Sequence, residues 1–313
     1  MRLVTFATTA ASSRDPGRLG LLITPADLVV DVAAVGERTG FGAAGRPPRD
    51  YLDWFDLDAP WASFVRAVAE DLSRRPGELD RLRRQEMAVP LAGVLLAAPV
   101  PRPGKIVCVG LNYRDHAAEA MLPVPESPVI FAKFPTAVVG SGAPIRLPAA
   151  SERVDFEAEL AVVIGRRARH VRHDEAMHVV AGLTIANDVT ARDFQKLDGQ
   201  WVRAKSCDTF APLGPALVTL DEIADPHALR IRLRLNDAVM QDSNTDQFVF
   251  GIPALIAFLT KTLTLEPGDV ILTGTPPGVG FARRPPVYLK AGDVVEVEIE
   301  GLGVLRNPVT SDE

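Results

Sequence analysis

The sequence lacks the features that mark several classes of protein. Its 313 residues contain two cysteines, Cys108 and Cys207, too few and too far apart for a disulfide framework or a cysteine-based zinc site. The longest apolar stretch, residues 87–101, is broken by prolines and too short to span a bilayer, and the first residues lack the apolar run of a signal peptide. The formal net charge of −6 argues against a nucleic-acid-binding protein, which would need a basic domain or stripe. These absences predict a cytoplasmic protein that binds neither membranes nor nucleic acids.

The pattern of predicted strands and helices changes near residue 100. Residues 1–100 combine short strand patterns with a charged helical stretch at residues 61–87, which predicts a small N-terminal α+β domain ending in a Pro-rich connector. Residues 101–313 hold many short strand patterns bounded by Gly, Pro, Asn and Asp, with few helices. Strands without regular helix alternation argue against a doubly wound sheet and predict a mixed, β-rich fold for this second domain.

The stretch DFEAELAVVIG, from Asp155 to Gly165, has the pattern of a buried strand but carries two glutamates. Glu157 and Glu159 are two residues apart and therefore point to the same face of a strand. The rest of the stretch is apolar on both faces, whereas VVEVEIEG at residues 294–301 alternates like an ordinary half-exposed strand. Two carboxylates buried side by side need a positive partner, either a divalent cation or an Arg or Lys side chain.

A third carboxylate, Asp188, lies where the apolar stretch AGLTIAND ends. Side chains at strand ends commonly enter a site, so Asp188 is a candidate third ligand beside Glu157 and Glu159. The alternative is that Asp188 caps a helix formed by VTARDFQ. Ligands that are all oxygen atoms select a hard cation, Mg²⁺, Mn²⁺ or Ca²⁺, over zinc.

Six motifs, in order, resemble those of the fumarylacetoacetate hydrolase family. They are VGLNYRDHAAE, DFEAELAVVIG, ANDVTARDFQ, QWVRAKSCDTFAPLGP, QDSNTDQFVFGIPALIAFLT and LEPGDVILTGTPPGVG. The resemblance extends from about Lys105 to the C terminus and is closest to bacterial members with a small N-terminal domain. It implies a family-specific mixed β-sandwich or roll with few short helices, a Mg²⁺ or Mn²⁺ site and a homodimer.

The resemblance also implies roles for individual residues. Glu157, Glu159 and Asp188 fall on the metal carboxylates of the family. His116 falls on its general base and Glu119 on the acidic partner of that base. The spacing of His116 and Glu119 suits one helix face, where the carboxylate can orient the imidazole. Without the surrounding motif, His116 has the features of an ordinary surface histidine.

Further polar residues fall on the substrate side of the family's site. Lys205 is the cation that the resemblance places beside a developing enolate, although a lone lysine in a loop is ordinarily exposed. A Gly-rich loop, Thr273 to Gly280, resembles the one that closes over the carboxylate end of the substrate. The substrate-binding residues implied are Arg192, Gln195, Thr209, Gly274 and Thr275.

The chemistry predicted for such a site is that of an enolate. A 2-oxo acid chelates a divalent cation through two oxygens, and cleavage, decarboxylation or isomerisation beside its carbonyl all pass through an enolate. The main prediction is metal-dependent hydrolysis of a C–C bond in an acylpyruvate-like 1,3-diketo acid such as fumarylpyruvate, in the catabolism of aromatic compounds or sugars. The alternatives are decarboxylation of an oxaloacetate-like acid, isomerisation or hydration of an unsaturated 2-oxo dioate, and a non-catalytic ligand-binding protein on the same fold. Val109 stands where longer animal members carry a fourth metal carboxylate, so fumarylacetoacetate itself is not the expected substrate.

Overall fold

A computed structural model of the protein describes residues 1–8, 17–39 and 55–312. Strands dominate these residues, which confirms the prediction of a mixed, β-rich fold with few helices. The strands are β1 (Arg2–Thr8), β2 (Arg18–Ile23), β3 (Leu28–Asp31), β4 (Ala88–Pro90), β5 (Val94–Leu96), β6 (Ile106–Gly110), β7 (Val129–Lys133), β8 (Val138–Val139), β9 (Ile145–Leu147), β10 (Val154–Asp155), β11 (Ala158–Ile164), β12 (Val180–Asn187), β13 (Thr190–Ala191), β14 (Ala211–Val218), β15 (Arg230–Leu235), β16 (Ala238–Asn244), β17 (Val270–Leu272), β18 (Val294–Ile299) and β19 (Gly303–Ser311).

Helices are short and lie between strands. The charged stretch predicted to be helical forms two helices, and the second begins at Pro76, since proline fits the first turn of a helix but not its interior. The described α-helices are α1 (Val32–Thr39), α2 (Pro60–Arg74), α3 (Pro76–Arg84), α4 (Arg114–Glu119), α5 (Arg192–Asp198), α6 (Val202–Lys205) and α7 (Ile252–Thr260). Among the described residues, no helix combines the length and the apolar character needed to cross a membrane.

The strands form three sheets. The large sheet has the order β4-β3-β2-β1-β14-β12-β11-β17-β6-β7, with β5 beside β1 and β8 beside β14. A five-stranded sheet has the order β16-β15-β18-β19-β9, and β10 pairs with β13 alone. From β7, at one end of the large sheet, the chain soon enters β8, which pairs with β14 well inside the sheet order. The large sheet therefore curls into a roll.

The five-stranded sheet covers the middle of the large one. Strands β15, β18 and β19 pack against β11, β12 and β14. Every residue of β11 and β12 is buried, because both faces of these strands are covered, and both strands therefore have near-continuous apolar sequences. Strand β18 instead alternates buried and half-buried positions, as its sequence pattern predicts.

The N-terminal segment joins the large sheet through β1. Arg2 lies opposite Val218 of β14 and Leu3 lies opposite Leu217. Strands from residues 1–100 and from residues 101–313 thus belong to one sheet. The division of the chain into two domains at residue 100 stays a prediction.

Burial in the middle of the roll predicts how substitutions there change the free energy of unfolding. Leu160 in β11 is 0% exposed, whereas Leu95 in β5 is 59% exposed. Leu160→Ala should lower the free energy of unfolding by about 2–5 kcal/mol, because it leaves a cavity in the buried core. Leu95→Ala, the same change at the surface, should alter the free energy of unfolding by about 0.5 kcal/mol or less in chemical denaturation. Equal effects of the two substitutions would contradict the burial described here.

Candidate active site

Strand pairing brings the three predicted metal carboxylates together. Strands β11 and β12 are antiparallel, with Ala158 opposite Asn187, so the start of β11 lies beside the end of β12. Glu157 immediately precedes β11 and Asp188 immediately follows β12, and the Asp188 amide donates to the Glu157 carbonyl at 2.8 Å. Helix α5 begins only at Arg192, after Ala191 at the cap, so Asp188 does not cap this helix.

The three carboxylates form a donor set for a hard metal ion. Glu157, Glu159 and Asp188 are buried, and one oxygen from each lies within 4.8 Å of the others. All the donors are carboxylate oxygens, which suit Mg²⁺, Mn²⁺ or Ca²⁺ better than zinc. The residues present therefore fit a divalent cation.

Two buried lysines hold the third carboxylate of the set. Lys205 donates from Nζ to Asp188 Oδ2 at 2.6 Å and to Glu157 Oε2 at 2.9 Å. Lys133 donates from Nζ to Asp188 Oδ1 at 2.5 Å and to the Val189 carbonyl at 3.1 Å. The Lys205 side chain is 2% exposed, so the ordinary expectation of a solvated loop lysine is wrong here.

Sequence reasoning missed Lys133. It ends the edge strand β7, where a lysine usually serves only to keep other strands from pairing. The sequence around Lys133 does not distinguish an exposed lysine at a sheet edge from a buried lysine. The inward position of Lys133 follows from the curl of the large sheet.

Arg192 and Asp155 form a second buried pair beside Glu157. The Arg192 guanidinium donates to Asp155 Oδ2 at 2.8 Å, to Glu157 Oε1 at 2.5 Å and to Gln195 Oε1 at 3.0 Å. It also stacks 4.2 Å from the Phe281 ring centroid. Asp155 was missed as well, although the acidic residues Asp155, Glu157 and Glu159 recur at every second position and that spacing was a usable signal.

The pKa values of the two glutamates are shifted in opposite directions, because their charged neighbours differ in sign. Burial alone would raise the pKa of Glu157, but the Lys205 ammonium and the Arg192 guanidinium hold that pKa at about 2. Burial and the neighbouring Asp188 and Glu157 carboxylates raise the pKa of Glu159 well above its ordinary value. Glu159 forms no ion pair among the described residues.

Among the described residues, the carboxylates of the cluster outnumber its cations. The cluster contains four carboxylates against three cations, which leaves one negative charge when all are ionised. Its members are Asp155, Glu157, Glu159, Asp188, Lys133, Arg192 and Lys205. A divalent cation among the metal carboxylates would relieve the repulsion at Glu159.

The predicted base and its partner lie together on α4. His116 Nδ1 is 3.0 Å from Glu119 Oε2. Because an ionised carboxylate only accepts hydrogen bonds, this contact places the proton on Nδ1 and leaves Nε2 free to take a proton. The other Glu119 oxygen, Oε1, accepts from the Gly278 amide at 2.9 Å, so the same carboxylate also holds the Gly-rich loop.

Carboxylates of the site anchor the Gly-rich loop at its two ends as well. The Gly274 amide donates to Glu159 Oε2 at 2.6 Å, and the Gly280 amide donates to Asp155 Oδ1 at 2.7 Å. Gly274 has a φ of 98°, and a Cβ there would lie 2.8 Å from the Asn112 side chain, so glycine is required. These amides are therefore bound by the protein's own carboxylates.

The remaining predicted substrate residues have protein partners. The Thr209 hydroxyl accepts from the Arg146 amide at 2.8 Å, and Thr209 has a left-handed φ of 69°. The Thr275 hydroxyl accepts from Gln241 at 2.8 Å. Substrate contacts of Thr209, Gln195, Gly274 and Thr275 stay predictions.

The chain is similar to known proteins over the part that contains this site. The family described as fumarylacetoacetate (FAA) hydrolase C-terminal matches residues 105–310, a range that includes the whole site. An oxaloacetate tautomerase of Xenopus laevis, described as mitochondrial, is 55% identical over 220 residues, which are 70% of this chain and 69% of the relative.

Solved structures extend the likeness to the fold. A 2-hydroxyhepta-2,4-diene-1,7-dioate isomerase from Mycobacterium marinum is 46% identical, with a TM-score of 0.64 over 72% of this chain and 81% of that chain. A maleylpyruvate hydrolase from Sphingobium sp. SYK-6 is 32% identical, with a TM-score of 0.74 over 100% of both chains. The names of these relatives thus describe a tautomerase, an isomerase and a hydrolase.

The electrostatics of Glu159 generate a prediction about the metal-free protein. Because the folded state raises the pKa of Glu159, ionisation of this group at neutral pH costs stability. Glu159→Gln should therefore raise the melting temperature without metal. With Mn²⁺ at about 100 times its dissociation constant, the unsubstituted protein should gain about 2.7 kcal/mol and the variant should gain far less.

The control is Glu126→Gln, at an exposed glutamate between α4 and β7. It should leave both melting temperatures unchanged in differential scanning calorimetry. A lower melting temperature for metal-free Glu159→Gln, or an undiminished response to Mn²⁺, would contradict the assignment of Glu159.

Proposed function

Because the chain is an enzyme of the fumarylacetoacetate hydrolase family, we propose that it catalyses the metal-dependent keto–enol tautomerisation of oxaloacetate or a similar 2-oxo dioate. The observation that carries the proposal is the oriented pair of His116 and Glu119 close to the buried carboxylate cluster. The name of the Xenopus laevis relative, at 55% identity, supports this reaction more strongly than the name of the hydrolase at 32% identity. The alternative of isomerisation is therefore preferred over the main prediction of C–C hydrolysis.

Tautomerisation moves one proton and needs no other reactant. The C–H bond next to the carbonyl breaks, its electrons form the C=C bond of the enol, and the carbonyl oxygen takes up a proton. His116 Nε2 is the atom that accepts the proton from carbon, because Nδ1 is held by Glu119. Returning that proton to oxygen restores the neutral imidazole.

The buried cations stabilise the negative charge that forms on oxygen. Lys205 uses two of its three N–H donors on Asp188 and Glu157, which leaves one donor for a substrate oxygen. A divalent cation held by Glu157, Glu159 and Asp188, Mg²⁺ or Mn²⁺ in this proposal, would polarise the carbonyl as a Lewis acid. In a site with little water these charges act strongly on the developing oxyanion.

Hydrolysis of an acylpyruvate is the second candidate. It is favoured by the match of the whole chain to a maleylpyruvate hydrolase. In that reaction His116 removes a proton from water, which attacks the distal carbonyl, and the C–C bond breaks to release an enol and a carboxylic acid. Decarboxylation of an oxaloacetate-like acid would instead release carbon dioxide.

Substitution of the proposed base gives the decisive test. His116→Asn should lower kcat for the interconversion of enol and keto oxaloacetate by about 10²–10⁴-fold, because proton transfer loses its positioned base. The enol is followed by its ultraviolet absorbance and the products by mass spectrometry. His173→Asn, at an exposed histidine, should have no effect on kcat.

Chelation and product analysis separate the candidates. Activity should disappear with EDTA and return with Mg²⁺ or Mn²⁺, with no change in substrate mass. Pyruvate and a carboxylic acid formed from acetylpyruvate or fumarylpyruvate, with no tautomerase activity above that of the free metal ion, would replace the proposal by hydrolysis. Carbon dioxide release would replace it by decarboxylation.

We further propose a homodimer in the cytoplasm. The dimer rests on family resemblance, and the location rests on the two free cysteines. In size-exclusion chromatography with light scattering, the expected mass is twice the chain mass of 33.7 kDa. A single peak at the monomer mass would refute the dimer.

A further inference from the structure

Gln241 connects the metal carboxylates to the Gly-rich loop. It lies on β16 in the five-stranded sheet and is 1% exposed. Its Oε1 accepts from the Ala158 amide at 2.8 Å, and its Nε2 donates at 2.8 Å to both the Thr275 hydroxyl and the Pro276 carbonyl. A single side chain of β16 therefore connects the start of β11 with the Gly-rich loop.

A β-bulge aims Gln241 at these partners. Leu233 of β15 pairs with Gln241, but the next residue, Arg234, pairs with Val239, so Met240 is left over. Such an extra residue bends a strand and redirects the neighbouring side chains. The Met240 carbonyl also accepts from Arg283, and a Cβ on Gly278 would lie 2.0 Å from that carbonyl. The bulge and the loop are thus in direct contact.

The strand end of the bridge lies between two metal carboxylates. Ala158 is the first residue of β11, with Glu157 before it and Glu159 after it. Glu157 lies just before the regular strand, and hydrogen bonds to residues distant in sequence hold the backbone at this point. One is the 3.0 Å bond from its amide to Asn187 Oδ1, and the next along the chain is the bond from the Ala158 amide to Gln241.

The loop end of the bridge fixes Thr275 and Pro276, directly after Gly274. The Gly274 amide is itself bound to Glu159. Both N–H groups of the Gln241 amide are in use, and its oxygen is bound to Ala158. The side chain is buried and fully engaged, so it acts on substrate and metal only through the segments it holds.

We propose that Gln241 is a positioning residue that sets the distance between the metal-binding start of β11 and the Gly-rich loop. The inference rests on the metal site of the proposed function. Partners that orient metal ligands typically change metal affinity by 10–100-fold when they are removed. Loss of the bridge should therefore weaken metal binding and loosen the loop over the substrate.

The test uses Gln241→Met, which keeps the length of the side chain and removes its three hydrogen bonds. The dissociation constant for Mn²⁺, measured by electron paramagnetic resonance without substrate, should rise about tenfold or more. With saturating Mn²⁺, KM should rise as well, because the loop is no longer held over the substrate by Gln241.

Thr245→Val is the matched control. Thr245 is buried just after β16 and its hydroxyl bonds Leu229 and Pro226, away from β11 and the loop. It should lower the melting temperature without changing the Mn²⁺ dissociation constant. If Gln241→Met cannot be obtained folded, Gln241→Glu keeps an acceptor for Ala158 but loses the donors to the loop, and it should raise KM.

The outcomes separate the inference from the proposed function. No Mn²⁺ binding by the unsubstituted protein would overturn the metal site and the inference with it. Normal Mn²⁺ binding by Gln241→Met, or equal weakening by Thr245→Val, would overturn the inference alone. An unchanged KM for Gln241→Glu would do the same for the loop end of the bridge.

Discussion

The site depends on burying carboxylates where water cannot solvate them. Such a group destabilises the fold unless a cation or hydrogen-bond donors lie beside it. Asp188 meets this requirement with Lys133 on one oxygen and Lys205 on the other. Glu157 shares Lys205 and adds Arg192. Glu159 has the Gly274 amide as a donor but forms no ion pair among the described residues, so a metal ion would relieve the most repulsion at this position.

The sheet topology and the Gly-rich loop together supply hydrogen-bond donors to the buried carboxylates. The start of β11, the end of β12 and the end of β17 lie at one end of the sheet, because β11 is antiparallel to both neighbours. The Gly-rich loop follows β17 directly, and its amides donate to Glu159, Glu119 and Asp155. The carboxylates of the site therefore hold the loop, and a substitution that leaves no acceptor oxygen at one of them also removes a loop anchor.

Features that depend on neighbouring residues in the sequence could be predicted, whereas contacts between distant segments could not. Glu157 and Glu159 were predictable because alternation in an apolar strand is a local pattern, and Asp188 because a strand ends there. The burial of Lys133 was not predictable, since it results from the pairing of β8 with β14, which curls the sheet. The bridge made by Gln241 likewise depends on a bulge between two strands that no single-strand pattern reveals.

Isomerisation and C–C cleavage would use the same groups of this site and would differ in the atom that meets the base. In the proposed tautomerisation His116 would take a proton from carbon, whereas in hydrolysis it would take one from water. Glu119 holds both His116 and the Gly278 amide, so the base and the loop share one anchor. The buried cluster would stabilise the enolate in either reaction. The choice between reactions therefore lies in the surfaces that position the substrate against Nε2, which is consistent with one family whose members are named for different reactions.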